Sequence, residues 1–239
     1  EVFANAQVVI MMLATESAMD AVLQRGTANF AAMLRGRSLV HMGTTSPAYS
    51  LALAADIAAV GGNYTECPVS GSLRQAQSGE LLGLMAGEQN LLNQMRPLLA
   101  PMFSESFLCG PVPNALTMKL AVNLFLITTV TGLCEAFHFT QGQHLDLKQF
   151  QAILNAGPMA SRVSTNKLRK LVDADESVEA SINDVLKNNQ LIAQAARLAG
   201  LSSPLLDVCL RLFEETQNAG HGLGDMTAVL HAVKAWHST

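Results

Sequence analysis

Charge is scarce in this chain. Lys, Arg, Asp and Glu make up 14% of its 239 residues, the net charge is −4, and the longest basic cluster is Lys-Leu-Arg-Lys at 167–170. A surface with no basic stripe argues against nucleic acid as a partner and suits a protein that handles small molecules. The four cysteines, Cys67, Cys109, Cys134 and Cys209, stand far apart with no C-x-x-C pair, so neither a zinc site nor a disulfide framework is signalled. A reducing cytoplasm is the default location. His138, His144, His221, His231 and His237 are scattered without metal-ligand spacing. No basic start with a small-residue cleavage site opens the chain, and neither an internal repeat nor a low-complexity tract is present.

What is abundant is apolar sequence, 49% of the residues, enough for a sizeable core. Residues 115–134, ALTMKLAVNLFLITTVTGLC, approach a membrane span in length and hydrophobicity. Lys119 and Asn123 interrupt that run, which is read instead as a long helix buried between protein layers with its polar groups turned to a cleft.

The first half alternates strand and helix. AQVVIMML (6–13), SLVHMGTT (38–45), NYTECPV, LLGLMAG (81–87) and SFLCG (106–110) read as strands, and ESAMDAVLQ, SLALAADIAAVGG and NLLNQMRPLLAPM as helices. Strands without polar alternation, separated by helices, predict a mostly parallel sheet covered on both faces. From Pro113 every segment has helical spacing. The expected fold is therefore a partial Rossmann-type doubly wound α/β sheet (1–112) followed by an all-α domain (113–239). No glycine-rich phosphate loop follows a strand; the nearest approach, GHGLGD at 220–225, follows a helix and reads as a helix stop.

Several motifs, in order, resemble the β-hydroxyacid dehydrogenases, a family that includes 3-hydroxyisobutyrate dehydrogenase, tartronate semialdehyde reductase and glyoxylate/succinic semialdehyde reductase. AQVVIMML is similar to the family's strand ending in Met-Leu-Pro, with Ala14 where Pro is usual. HMGTTSP resembles Asp-x-Ser-Thr-x-x-Pro, keeping Thr44 and Pro47 but carrying His41 and Gly43. ECPVSGSLRQAQSGEL is similar to Asp-x-Pro-Val-Ser-Gly-Gly/Ser, KLAVN to Lys-x-x-Asn-Asn, LKNNQLIAQAA to the later Leu-Lys-Asp motif, and GLGDMTAV to the closing motif. The resemblance covers nearly the whole chain and implies that the first two βα units of the nucleotide-binding domain are absent from it.

On that resemblance Ser70, Gly71 and Ser72 would cradle a substrate carboxylate. The chemistry agrees, since a Gly-rich turn offers backbone N–H groups and hydroxyls to an anion. Read alone, the same turn is a strand-to-helix connection with Ser72 as N-cap. Ser72 with the basic Arg74 nearby looks more like the semialdehyde-reductase branch, which implies a small carboxylate-bearing aldehyde as substrate. Lys119 would be the catalytic residue, because an ammonium on a partly desolvated helix supplies both charge and proton to a developing alkoxide. Alone, it reads as a lysine snorkelling from an amphipathic helix. Asn123, one turn on, would hold the substrate or the lysine, and Val122 stands where the family has a further Asn. Leu13, Thr44 and Lys187 match positions on the nicotinamide side of a bound NAD or NADP, whose selector region is not in this chain. Asn188 replaces the usual Asp after that lysine, and Ala180 stands where an aromatic closes over the site.

The resemblance implies an NAD(P)-dependent oxidoreductase, needing no metal and assembled as a homodimer or higher oligomer through its helical domain, with no membrane partner. Two alternatives remain. One is a binding or oligomerisation relic of the family without catalysis; the other is a related imine reductase, against which Lys119 speaks.

Overall fold

The structure is a computed structural model and describes residues 2–236. The chain divides into two compact units, Glu1–Ala121 and Val122–Thr239.

The first unit carries strands β1 (Val8–Met11), β2 (Ser38–His41), β3 (Asn63–Glu66), β4 (Val69–Ser70), β5 (Leu81–Ala86) and β6 (Phe103–Gly110). Its helices are α1 (Val2–Asn5), α2 (Glu16–Leu23), α3 (Ala28–Leu34), α4 (Pro47–Ala59), α5 (Leu73–Ser78) and α6 (Gln89–Leu99), and α7 (Asn114–Gly142) begins in it. The strands form one sheet in the order β1-β2-β3-β5-β4, with β6 also paired to β5. Leu39 and Val40 are neighbours on β2 and so face opposite ways. Leu39 packs with Leu23, Leu34, Leu53 and Ile57, and Val40 with Met85, Leu92 and Leu99. Both faces of the sheet are therefore covered, as a run without polar alternation predicts.

The sheet is mostly parallel, as expected, with antiparallel pairing confined to β5 against β3 and β4. β1, β2 and β3 run parallel, but β5 is antiparallel to β3 and to β4 and parallel to β6. An antiparallel partner can be reached by a short connection, whereas a parallel one needs a crossover. Between β4 and β5 that connection holds the six-residue helix α5, and hydrophobicity alone gives a strand no direction.

The second unit is helical: the remainder of α7, then α8 (Leu147–Ala156), α9 (Arg162–Asp173), α10 (Ile182–Leu198), α11 (Pro204–Thr216) and α12 (Leu230–Ala235). By length and composition α7 could cross a membrane, yet 44% of its most apolar window is buried within the protein. Leu116, Leu120, Asn123, Ile127, Val130, Cys134 and Phe137 are all buried, and their spacing of three and four marks one inward stripe. The helix runs through Gln141 and Gly142, and His138 lies within it.

Candidate functional site

In α/β sheets ligands gather outside the carboxyl ends of the parallel strands. Leu13 follows β1, Thr44 follows β2, and the Ser70–Ser72 turn closes β4, just beyond β3. Leu13 and Thr44 are both half-buried. Gly43 joins their two loops: a Cβ there would lie 2.8 Å from the Leu13 carbonyl oxygen and 3.2 Å from His41 Nε2. The departures at 41 and 43 are thus one steric exchange, in which the imidazole occupies the space that a side chain at 43 would need. This close approach keeps side-chain bulk out of the loop on which, by the family resemblance, a flat nicotinamide would rest. The phosphate cradle that such a cofactor needs is not formed by these residues.

At the turn after β4, Gly71 has φ +139°, and a Cβ would lie 2.7 Å from Leu81 Cδ2, so glycine is required there. Ser72 is the N-cap of α5, as its local reading expects. It stands at the start of α5, where its backbone N–H and hydroxyl both donate to Gln75 Oε1, at 2.9 and 2.6 Å. The donors that would grip a carboxylate are present, and a side-chain oxygen from α5 is held in them.

Lys119 lies one and a half turns into α7 and is half-buried. Burial penalises its ammonium and lowers the pKa from 10.5 to about 8. Asn123, four residues on along the same helix face, is buried. Val122 beside it is exposed. Lys187 belongs to α10 and is half-buried. Asn188 donates from Nδ2 to the Asp184 carbonyl at 2.8 Å, a bond within its own helix.

The entry to α10 is held by the buried ions Lys167 and Asp225, joined by the exposed Glu179. Lys167 Nζ lies 3.0 Å from Glu179 Oε2 and from both carboxylate oxygens of Asp225. Asp225 also accepts from the backbone N–H groups of Glu179, Ala180 and Thr227. Burial alone would raise the Asp225 pKa, but the Glu179 amide and the Lys167 ammonium hold it below its ordinary value. The closing GLGDMTAV motif is therefore, at Asp225, a clamp on the segment that bears Ala180.

Sequence reasoning missed a buried chain in the first unit. His41 Nδ1 lies 2.8 Å from Tyr64 Oη, which lies 2.6 Å from Ser50 Oγ. Ser50 Oγ donates to Glu66 Oε1 in a short hydrogen bond. Glu66 Oε2 accepts the backbone N–H groups of Ala115 and Leu116, at 3.1 and 3.2 Å, in the first turn of α7. A buried-strand position taken by an acidic residue, at the end of NYTE in so weakly charged a chain, was the available signal. His221 and His231 stack at 4.0 Å, and His237 lies outside the described residues. Among the described residues no group of three His, Cys, Asp or Glu side chains converges.

Three parallel strands with polar loops at their carboxyl ends, followed by a long helix and a helical unit, make an α/β-then-α architecture. Residues 1–110 match the NAD binding domain of 6-phosphogluconate dehydrogenase, and residues 114–233 match the NAD-binding domain of NADP-dependent 3-hydroxyisobutyrate dehydrogenase. The chain belongs to the β-hydroxyacid dehydrogenase family. It is 27% identical over 236 residues to glyoxylate/succinic semialdehyde reductase 2, chloroplastic, of Arabidopsis thaliana, covering 98% of this chain and 66% of that protein. It is 24% identical over 203 residues to 2-hydroxy-3-oxopropionate reductase of Escherichia coli, covering 85% of this chain and 70% of that one. The crystal structure of 3-hydroxyisobutyrate dehydrogenase from Salmonella typhimurium superposes with a TM-score of 0.85 at 23% identity, over 95% of this chain and 79% of that one. The expected α/β-then-α architecture is confirmed. The chain spans about two thirds of the length of the Arabidopsis relative.

Proposed function

We propose that this protein takes part in the NAD(P)-dependent interconversion of a small carboxylate-bearing aldehyde, of the glyoxylate or semialdehyde type, and its hydroxy acid. The observation that carries this reading is Lys119: half-buried on α7 and brought by burial to a pKa of about 8, it can hold or release a proton near neutrality. When bound, the nicotinamide supplies or accepts the hydride. As the carbonyl oxygen gains negative charge, the ammonium of Lys119 stabilises it and passes it a proton from Nζ; in the reverse direction the neutral amine takes the proton back. Asn123 holds the oxygen or the lysine in register, the Ser70–Ser72 turn holds the carboxylate, and Leu13, Thr44 and Lys187 hold the nicotinamide side.

The test is oxidation of NADPH and of NADH with glyoxylate and with succinic semialdehyde, repeated with Lys119→Ala. Turnover that falls at least about a hundredfold in the variant, the range of a lost general acid, supports the reading. Absence of turnover with either cofactor in the native protein replaces it with a binding or oligomerisation role, for which the changes at Ala180 and Asn188 are the motive.

A further inference from the structure

The buried chain from α7 to β2 has a property that its geometry fixes. Ser50 has one hydroxyl hydrogen, and it goes to Glu66 Oε1. The hydrogen between Ser50 and Tyr64 must therefore come from the tyrosine. Tyr64 has then spent its only hydrogen, so the contact with His41 Nδ1 is made by an imidazole N–H donating to the phenol oxygen. With Glu66 ionised, all three bonds run one way, from His41 to Glu66. A proton placed on Glu66 Oε1 reverses all three: the carboxyl donates to Ser50, Ser50 to Tyr64, and Tyr64 to a His41 Nδ1 that must now be the acceptor. Glu66 Oε2 keeps the Ala115 and Leu116 amides in both states.

We infer that Glu66, Ser50, Tyr64 and His41 form a two-state proton-sharing chain, through which the charge on the carboxyl group at the start of α7 sets the ring tautomer of His41. In one state His41 carries its hydrogen on Nδ1 and presents Nε2 as an acceptor; in the other, Nε2 carries the hydrogen. That nitrogen flanks Gly43, where a Cβ would lie 3.2 Å from it and 2.8 Å from the Leu13 carbonyl oxygen, in the loop that continues into Thr44. The chain thus links the helix that bears Lys119 to the loop assigned to the nicotinamide side, and this functional arm rests on the assignment made above.

All four residues are buried, which keeps water from substituting for any member. The other ionisable groups that feel the chain are Cys109, acted on by the Glu66 charge, and Tyr49 and Arg25, which act on Tyr64. Burial raises the Glu66 pKa, against the Ser50 and α7 amide hydrogen bonds that lower it.

The experiment is nitrogen-15 NMR of the histidine rings, which reads the tautomer directly and needs neither cofactor nor turnover. The native protein at neutral pH should show His41 as the Nδ1–H form. Glu66→Gln imitates the protonated acid: its carbonyl can accept from α7 while its NH2 donates to Ser50, so His41 should switch to the Nε2–H form. In a Tyr64→Phe background the same change at 66 should leave His41 unmoved. The same tautomer in the native protein and in Glu66→Gln overturns the inference, as does a switch that survives Tyr64→Phe. Should Glu66→Gln fail to fold, Ser50→Ala breaks the chain one link away; a native-like tautomer preference retained there also overturns it. If the chain acts on the cofactor loop, the NADPH Kd of Glu66→Gln shifts by roughly two- to tenfold, the worth of one neutral hydrogen bond. No shift alongside a switched tautomer removes the cofactor-loop assignment and leaves the proton chain standing.

Discussion

Lys119 combines two opposed demands. Its burial costs stability while the ammonium is charged, and the same burial brings its proton within reach of chemistry. The folded pKa of about 8 lies below the ordinary 10.5, so between these values the unfolded chain binds a proton that the folded chain does not. Its contribution to stability therefore rises with pH across that window, and below about pH 8 the full burial cost is present. Lys119→Met should raise the Tm at pH 7 while abolishing reduction, and calorimetry beside an activity assay checks both. Reduction needs the charged form, so kcat for the aldehyde should fall as pH rises through about 8, and oxidation of the hydroxy acid should gain over the same range. At the turn proposed to hold the substrate carboxylate, Gln75 Oε1 already occupies the Ser72 donors. A carboxylate must displace it, so Gln75→Ala should lower the aldehyde KM roughly two- to tenfold, at about 1 kcal/mol of stability for the lost cap. An unchanged or raised KM would mean that the carboxylate is held elsewhere.

Among the elements, α10 is the one whose sequence and packing disagree. Ile182, Val185, Leu186, Ile192 and Ala193 form its buried stripe, and Asn189 sits in the middle of that stripe, fully buried. Among the described residues neither its Nδ2 nor its Oδ1 has a hydrogen-bond partner. Asn189→Leu should therefore stabilise the protein by about 1–3 kcal/mol, the cost of an unsatisfied buried group, seen as a higher urea midpoint at unchanged m-value. The start of α10 is fixed differently. Asp225 has its pKa held low in the fold, so its contribution is present above the ordinary 3.8 and is lost as pH falls through the folded value. Asp225→Asn should cost about 3 kcal/mol at neutral pH, as for other broken buried pairs, and acid unfolding should then begin less steeply than in the native protein. The sequence made α10 and α6 readable because each has long apolar periodicity. The short α3 and α5 escaped, although Thr27 before ANFAAML was a visible cap. The direction of β5 escaped for a different reason, since a wholly apolar run carries no sign of which way it points. The buried chain at Glu66 was illegible because its partners are 16 and 49–50 residues away, a relation that no local pattern records. Lys119, Asn123 and the Ser70–Ser72 turn, by contrast, each sit in a contiguous motif.

At the scale of the molecule, the outer face of α7 sets the last expectation. Met118, Val122, Phe125 and Phe139 are exposed, Phe125 at 73% and Phe139 at 65%. Thr129, Gly132 and Ala136 complete the row, so that small or apolar residues recur every three or four positions along a 29-residue helix, on a face other than the buried stripe. Such a row repeats like the seam of a helix pair. Gly132 and Ala136, four apart, would let a second backbone approach closely. Beyond α7, Ile153 and Met159 add exposed apolar surface in the helical unit. Isolated exposed apolar side chains are ordinary, but a row of this length along one helix suits a subunit interface. We propose that the row packs against a second copy of the chain. A symmetric contact brings each residue near its counterpart, so one charge introduced at the seam is placed twice in a desolvated position. Phe125→Glu should convert the native assembly to a 25.4 kDa species by light scattering, and the far-ultraviolet circular dichroism should stay unchanged. A native protein already at that mass removes the proposed pairing. An assembly that persists in both Phe125→Glu and Ala136→Glu moves the interface off α7 and onto another face.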